Sequence, residues 1–382
     1  MNIRLPGYST SYEDIYEVVS RYGNSVAIIG GEQALLYAMP YIKEFLGDLN
    51  VSEPIIYGNA AKMENVEVLK KNKDVEGSDV LFAIGGGKAI DTVKMLGYEL
   101  NKPVFTFPTI SSTPAAVSDV AYIDKIPYFI KDIVKHTFIN DDIIINAPYM
   151  YFHLGVGYIF SKSYEILFKS RGMELTYEDR LATTILSQIN RDVFTSGKMA
   201  LDSFKKNGHT HKLILDSIVL MGYVFILINK EFYNGLAGSI CEAINQIDDY
   251  GILNLENEAL PFGILVNLII EKSNDMYRAY DFLKDNRYPI KLIDLKMKTS
   301  LLNKISEQAM NNKHMTDYPK VISKHDIFRA MILLEEDFLL NTKWQKHTIC
   351  VFFLYFLTII VYNILNNLYD VSWWFLWLKK LI

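Results

Sequence analysis

The run IGGGKAID, Ile84 to Asp91, sets three glycines and a lysine between an apolar strand pattern and a helical one. Gly85, Gly86 and Gly87 let the backbone turn sharply, and the helix that follows presents unpaired N–H groups and the positive end of its dipole. Phosphate is the natural partner of such a start, and Lys88 adds a positive charge beside it. A tight turn without a ligand accounts for the glycines equally. A second run, TISSTPAAVSDVAYI from Thr109 to Ile123, follows the strand pattern KPVFTFPT and is rich in small hydroxyl residues. It stands at a strand C-terminus, where open α/β sheets bind ligands. Tyr158 and Lys162 carry a different chemistry: they are four apart in YIFSK, so a helix puts them on one face. An ammonium beside a phenol lowers the phenol's pKa, and such a pair can act as general base in alcohol oxidation without a metal.

These residues need a scaffold, and the patterning supplies one. Between Ser25 and Pro148 the apolar runs SVAIIGG, EPIIYGN, SDVLFAIGGG, KPVFTFPT and DDIIINAP alternate with helical stretches. Runs nearly continuous in apolar residues suit a parallel sheet buried on both faces, so residues 1–148 are predicted to form a doubly wound α/β domain. From 149 to 345 apolar residues recur at helical spacing, as in HKLILDSIVLMGYVFILINK, and an all-helical domain is expected. The cleft between them is the expected ligand site.

Residues 346–382 are of another kind: all four tryptophans lie beyond Lys343, and no glycine follows Gly263. Residues 348–369 carry no charge, and Lys343, Lys346, Lys379 and Lys380 flank them. That length suffices for a bilayer, which takes about 20 apolar residues. A membrane contact through this hydrophobic tail is one expectation; a buried terminal helix, or an altered reading frame past Asn341, are the others. A net charge of -5 leaves no basic stripe for a nucleic-acid backbone, which argues against that partner. Cys241 and Cys350, without C-x-x-C spacing, suggest neither a disulfide framework nor a thiolate metal site. With an acidic N-terminus lacking a continuous apolar core, this points to the cytoplasm.

Together, GGGKAID and PTISSTPAAVSDVAYI resemble the glycerol dehydrogenase branch of the iron-containing (group III) alcohol dehydrogenase family. The resemblance continues through INAPYMYFHLGVGY, SYEILFKSRG, GLAGSICEAINQ and ALPFGILVNLI. It implies the dehydroquinate synthase-like architecture, an α/β dinucleotide-binding domain followed by a helical one. It also implies a small alcohol, polyol or aldehyde as substrate, NAD as cofactor with NADP left open, one divalent metal in the cleft, and assembly into a homo-oligomer. Position by position, Gly86, Gly87 and Lys88 stand where the family contacts the pyrophosphate, and Asp91 is the family's aspartate in that motif. Thr109, Ser112, Ser118 and Val120 match its second dinucleotide-binding stretch. Where the family ends its first strand in an aspartate for the adenosine ribose, this chain has IIGGEQ; Glu32 can take that role and favour NAD over NADP, or be an exposed helix-start residue.

The family's catalytic positions are not retained. Its metal-binding aspartate aligns with Tyr158, its first histidine with Glu242, its second with Glu256 (or Glu258, given the shortening before it), and its substrate aspartate with Pro114. A Lewis acid supplies several kcal/mol to such a reaction, so another group must handle the proton. The expectation is a chain without the metal, Glu242 and Glu256 remaining candidates for a hard cation. Tyr158 and Lys162 are the metal-free alternative for catalysis. A catalytically silent dinucleotide-binding sensor or scaffold is the competing reading. His153, five residues before Tyr158, reads as a packed or surface histidine or as one facing the cleft, and His314 and His325 have no evident company in the sequence.

Overall fold

The computed structural model describes residues 4–204, 208–247 and 255–336. The apolar runs become strands β1 (Gly7–Ser9), β2 (Ser25–Gly30), β3 (Asn50–Val51), β4 (Ile55–Ile56), β5 (Val80–Gly85), β6 (Val104–Pro108), β7 (Val120–Ile123), β8 (Ile126–Phe129) and β9 (Val134–Phe138). Seven of them form a parallel sheet in the order β1-β9-β6-β5-β2-β3, with β4 also on β2. β7 and β8 form a separate antiparallel hairpin. Its turn residues Asp124 and Lys125 both have positive φ, as a two-residue hairpin turn of the primed type requires.

Every residue of β5 and β6 is buried. Alternation along β6 gives the sheet two faces of different use. Phe105 and Phe107 turn to one side, where Phe107 packs on Phe82 (ring centroids 4.7 Å) and on Phe138 (5.1 Å). Thr106 turns to the other, and there its hydroxyl and that of Thr137 donate to the Ala116 carbonyl at 2.8 and 2.9 Å. The aromatic face builds the core; the hydroxyl face pins the stretch that follows β6.

Two expected strands differ. EPIIYGN keeps only the two residues of β4. DDIIINAP is a helix, Asp141–Asn146, and the last sheet strand is β9, from VKHTF. The cause is local: the Asn140 side chain accepts from the N–H groups of Asp142 and Ile143, and Asp141 and Asp142 complement the dipole in the first turn.

The helices of the sheet region are α1 (Ile15–Val19), α2 (Glu32–Lys43), α3 (Met63–Lys70), α4 (Lys73–Gly77), α5 (Gly87–Leu100) and α6 (Asp141–Asn146). The helical layer starts after Pro148 with α7 (Tyr149–Lys169). It continues with α8 (Tyr177–Asp192), α9 (Lys198–Asp202), α10 (Gly208–Leu227), α11 (Leu236–Asn245), α12 (Leu260–Ile270), α13 (Met276–Asp285), α14 (Leu302–Met310) and α15 (Lys324–Glu335). The chain through Phe328 is one compact unit, and Arg329 begins a second. The tail, residues 348–369, lies outside the described residues. Among the described residues no helix is long and apolar enough to cross a membrane.

α7 is the buried axis of the helical layer, and its GVG permits two close approaches. A Cβ on Gly155 would lie 1.9 Å from the Ser111 carbonyl oxygen, and one on Gly157 would lie 2.5 Å from the Tyr288 ring. The first contact seats α7 against the stretch after β6. Gly155→Ala is therefore expected to cost about 1–3 kcal/mol, as overpacking typically does. Urea unfolding measures it, and an unchanged midpoint would show that α7 does not rest on Ser111.

Candidate functional site

β5 ends in the glycine turn. Gly85 has φ 145°, a conformation that side chains rarely adopt, and the extended Gly86 is the N-cap of α5. No side chain caps this helix start and no acidic residue occupies its first turn, so its N–H groups and dipole face outward uncompensated. The second run crosses directly over the turn. A Cβ on Gly86 would sit 2.6 Å from Ile110 Cδ1, and one on Gly87 3.1 Å from Thr113 Oγ1. Thr109 is buried, its N–H donating to the Gly85 carbonyl at 3.2 Å, and Ser112 is half-buried beside it. Lys88 is exposed at the mouth, 3.7 Å from Glu256, a pair too open to contribute more than about 1 kcal/mol. Glu32 is exposed as the first residue of α2, at the end of β2. β2 pairs with β5, so Glu32 and the turn share one edge of the sheet. This cradle, tight to any side chain and ringed by N–H groups, fits a pyrophosphate.

Asp91, Ser118 and Val120 lie deeper. Lys94, fully buried on α5, donates to the carbonyls of Ala115 (2.9 Å), Ser118 (3.2 Å) and Val120, and its ammonium is 3.1 Å from the Asp91 carboxylate. The other Asp91 oxygen accepts from the Tyr122 N–H at 3.1 Å. Asp91 and Lys94 thus tie the second run to α5 from below. These residues hold the stretch rather than line its open side.

Tyr158 and Lys162 are both buried on α7, but Lys162 is engaged elsewhere. Its ammonium donates to Glu165 Oε2 at 2.6 Å, to Asn234 Oδ1, and to the Tyr233 carbonyl at 3.3 Å. The second Glu165 oxygen accepts from the N–H groups of Gly235 (2.8 Å) and Gly238 (2.5 Å), so the carboxylate also caps α11. Burial works against the Lys162 charge, but Glu165, aided by Tyr122, outweighs it and holds the ammonium above its ordinary pKa. For Tyr158 burial dominates and pushes the phenol well up, against the lowering expected from its spacing to Lys162. The phenol that feels Lys162 is Tyr122, on β7. The Tyr122 ring lies 6.5 Å, centroid to centroid, from that of Tyr233. Sequence reasoning missed Tyr122, Tyr233 and Asn234, which come from strand β7 and from the turn before α11 and carry no common spacing.

The positions aligned with the family's metal ligands are dispersed. Glu242 accepts from Asn312 Nδ2 at 2.7 Å and lies 3.1 Å from His314 Nε2; burial is outweighed by these hydrogen bonds, which hold its carboxyl below the ordinary value. His314 thus has the acidic company that the sequence hid, across 72 positions. Glu256 reaches Lys88 instead, and Glu258 is only partly buried in the turn that leads into α12. Cys241 is buried, its thiol pushed up to about 12. Among the described residues no three His, Cys, Asp or Glu side chains converge. A neutral phenol, a carboxylate committed to Asn312 and His314, and a buried ammonium nearby do not fit a divalent cation. His153 is structural: it stacks on Tyr288 with ring centroids 4.0 Å apart and bonds the Asn286 carbonyl at 2.8 Å. A cavity of about 360 Å3 opens beside this cluster, lined among others by Phe129, Lys169, Lys230, Tyr233, Asn234 and His314.

Residues 14–125, the span holding both dinucleotide-type runs, match the family model described as iron-containing alcohol dehydrogenase. Glycerol dehydrogenase of Thermotoga maritima is 24% identical over 299 residues, 72% of this chain and 79% of that one. Over residues 14–125 the chain is similar to the iron-containing alcohol dehydrogenases. Solved relatives share its fold: glycerol dehydrogenase from Schizosaccharomyces pombe has TM-score 0.77 at 17% identity, covering 90% of each chain. Sulfoacetaldehyde reductase from Bifidobacterium kashiwanohense, solved in complex with NAD+, has TM-score 0.72 at 12% identity, covering 87% of this chain and 98% of that one.

Lys94→Met leaves Asp91 buried without its cation, a loss that typically costs about 3–5 kcal/mol. Chemical denaturation is expected to show a drop of that order, partly recovered in Asp91→Asn with Lys94→Met. A loss below about 1 kcal/mol would contradict the role of this pair in holding the second run.

Proposed function

We propose that this chain is a NAD-dependent oxidoreductase of the glycerol dehydrogenase type, acting on a small alcohol, polyol or aldehyde without a divalent metal. NADP is left open; Glu32, placed where a 2'-phosphate would be repelled, supports NAD. The observation that carries the reading is the uncapped start of α5 at Gly86 and Gly87, roofed by the 109–123 run. Gly86, Gly87 and Lys88 would hold the pyrophosphate, with Thr109 and Ser112 above it and Asp91, Ser118 and Val120 keeping that roof in place. When bound, the nicotinamide supplies or accepts a hydride. The chain's own tasks are then to orient the dinucleotide, to exclude water and to handle one proton. A second reading, a dinucleotide-binding protein that does not turn over, is supported by the full engagement of Lys162 with Glu165, Asn234 and Tyr233.

NADH fluorescence titration of the full chain tests the core of the reading. Micromolar binding is expected, weakened at least about tenfold by Gly87→Asp, whose carboxylate repels phosphate while favouring a helix start. No binding at millimolar NADH would overturn the reading, and binding without turnover would select the second. Any activity found is expected to survive dialysis against EDTA; loss restored by a divalent ion would reinstate a metal.

The spacing of the two cysteines supports a reducing, cytoplasmic location, and the composition of residues 348–369 supports a membrane contact. On cell fractionation the full chain is expected with membranes, and a chain ending at Asn341 in the supernatant. Full-length protein in the supernatant without detergent would remove the membrane contact.

A further inference from the structure

We infer that the cavity between β8 and the C-terminal end of α7 is a binding site for a small organic anion, a phosphate ester or carboxylate carried on an apolar body. It shares no lining residue with the glycine turn or the 109–123 run, so it stands apart from the dinucleotide reading.

Its volume of about 360 Å3 lies in the range of small-molecule pockets, ~300–1,000 Å3. The walls are of two kinds. Pro127 and Phe129 of β8 and Met173 give an apolar side, and Lys169, Lys230 and Lys313 give a basic one. Lys169 is only 3% exposed, and its ammonium donates to the carbonyls of His314 (3.1 Å) and Thr316 (2.6 Å), which line the cavity themselves. An ammonium has three N–H bonds, so one remains to be given. Carbonyls solvate the charge but do not neutralise it. Among the described residues no carboxylate forms an ion pair with Lys169, Lys230 or Lys313, although Glu231 and Asp317 also line the cavity. Burial pushes the Lys169 ammonium down, and Asp317, Glu231 and Glu165, acting from beyond contact distance, offset this only in part.

A buried charge without a counter-ion is costly, and an anion in the cavity supplies the counter-ion. The Lys230 ammonium lies 4.2 Å from the centroid of the Phe129 ring, so the basic and apolar walls meet there. A ligand with a charged head and an apolar body satisfies both walls at once. Three lysines against Glu231 and Asp317 leave the lining net positive, which favours a phosphate dianion over a monocarboxylate as the head. Asn234 and His314 belong both to the lining and to the contacts of Lys162 and Glu242, so the bound anion adjoins the buried cluster.

Isothermal titration calorimetry of the full chain with phenyl phosphate, benzoate, inorganic phosphate and benzyl alcohol tests the site. Phenyl phosphate is expected to bind saturably in the micromolar-to-millimolar range, tighter than benzoate or inorganic phosphate, and benzyl alcohol not at all. Lys230→Gln and Lys313→Gln are each expected to weaken it roughly fivefold or more, while Lys43→Gln, which removes the same charge from α2, leaves it unchanged. Both lysines are exposed, so melting temperatures are expected to hold. Gly87→Asp is expected to leave phenyl phosphate binding intact; its loss there would place the anion at the glycine turn and overturn the assignment. So would no saturation at millimolar phenyl phosphate, equal affinity for benzyl alcohol, or wild-type affinity in both the Lys230 and Lys313 variants. Benzoate binding that equals phenyl phosphate and weakens in the same two variants would support the site with a carboxylate head.

Discussion

The site depends on the charge that Lys94 carries into the interior. An ammonium taken out of water must find oxygen partners, and here they are the carbonyls of Ala115, Ser118 and Val120 and the carboxylate of Asp91. Because Lys94 and Asp91 belong to α5 while the carbonyls belong to the run after β6, satisfying one charge fixes two ligand-facing segments together. Thr106 and Thr137 secure the same run to the sheet through the Ala116 carbonyl. Tyr122 is carried at its end. The glycine turn, the roof above it and the phenol on the hairpin are thus one rigid piece, braced from below.

A second buried ammonium organises the other side. Lys162 draws in Glu165, Asn234 and the Tyr233 carbonyl, and Glu165 extends the network to the start of α11. One buried positive charge thus stands among a carboxylate, an amide and a backbone carbonyl. Nearby, burial holds the Tyr158 phenol well above its ordinary value, and Glu242 is held by Asn312 and His314.

Much of the glycine turn was legible in the sequence because it is local: a strand, three glycines and a helix start occupy contiguous positions, and strand runs as apolar as β5 and β6 read directly as a buried parallel sheet. DDIIINAP misled because apolar periodicity alone does not separate a short buried strand from a helix, and Asn140 as cap decided it. The Tyr158 and Lys162 spacing placed both residues on one helix correctly but could not show that Glu165, one turn on, claims the ammonium. Tyr122, Asn234 and His314 were invisible because their relation is made by the fold alone, across separations that no spacing rule spans.

A structure of the full chain with NADH, with anomalous data collected at the absorption edges of iron and zinc, tests the account most directly. The account predicts the pyrophosphate on the N–H groups at Gly86 and Gly87, and no anomalous peak near Tyr158 and Glu242. A dinucleotide seated away from the α5 start, or a metal bound between Tyr158 and Glu242, would contradict it.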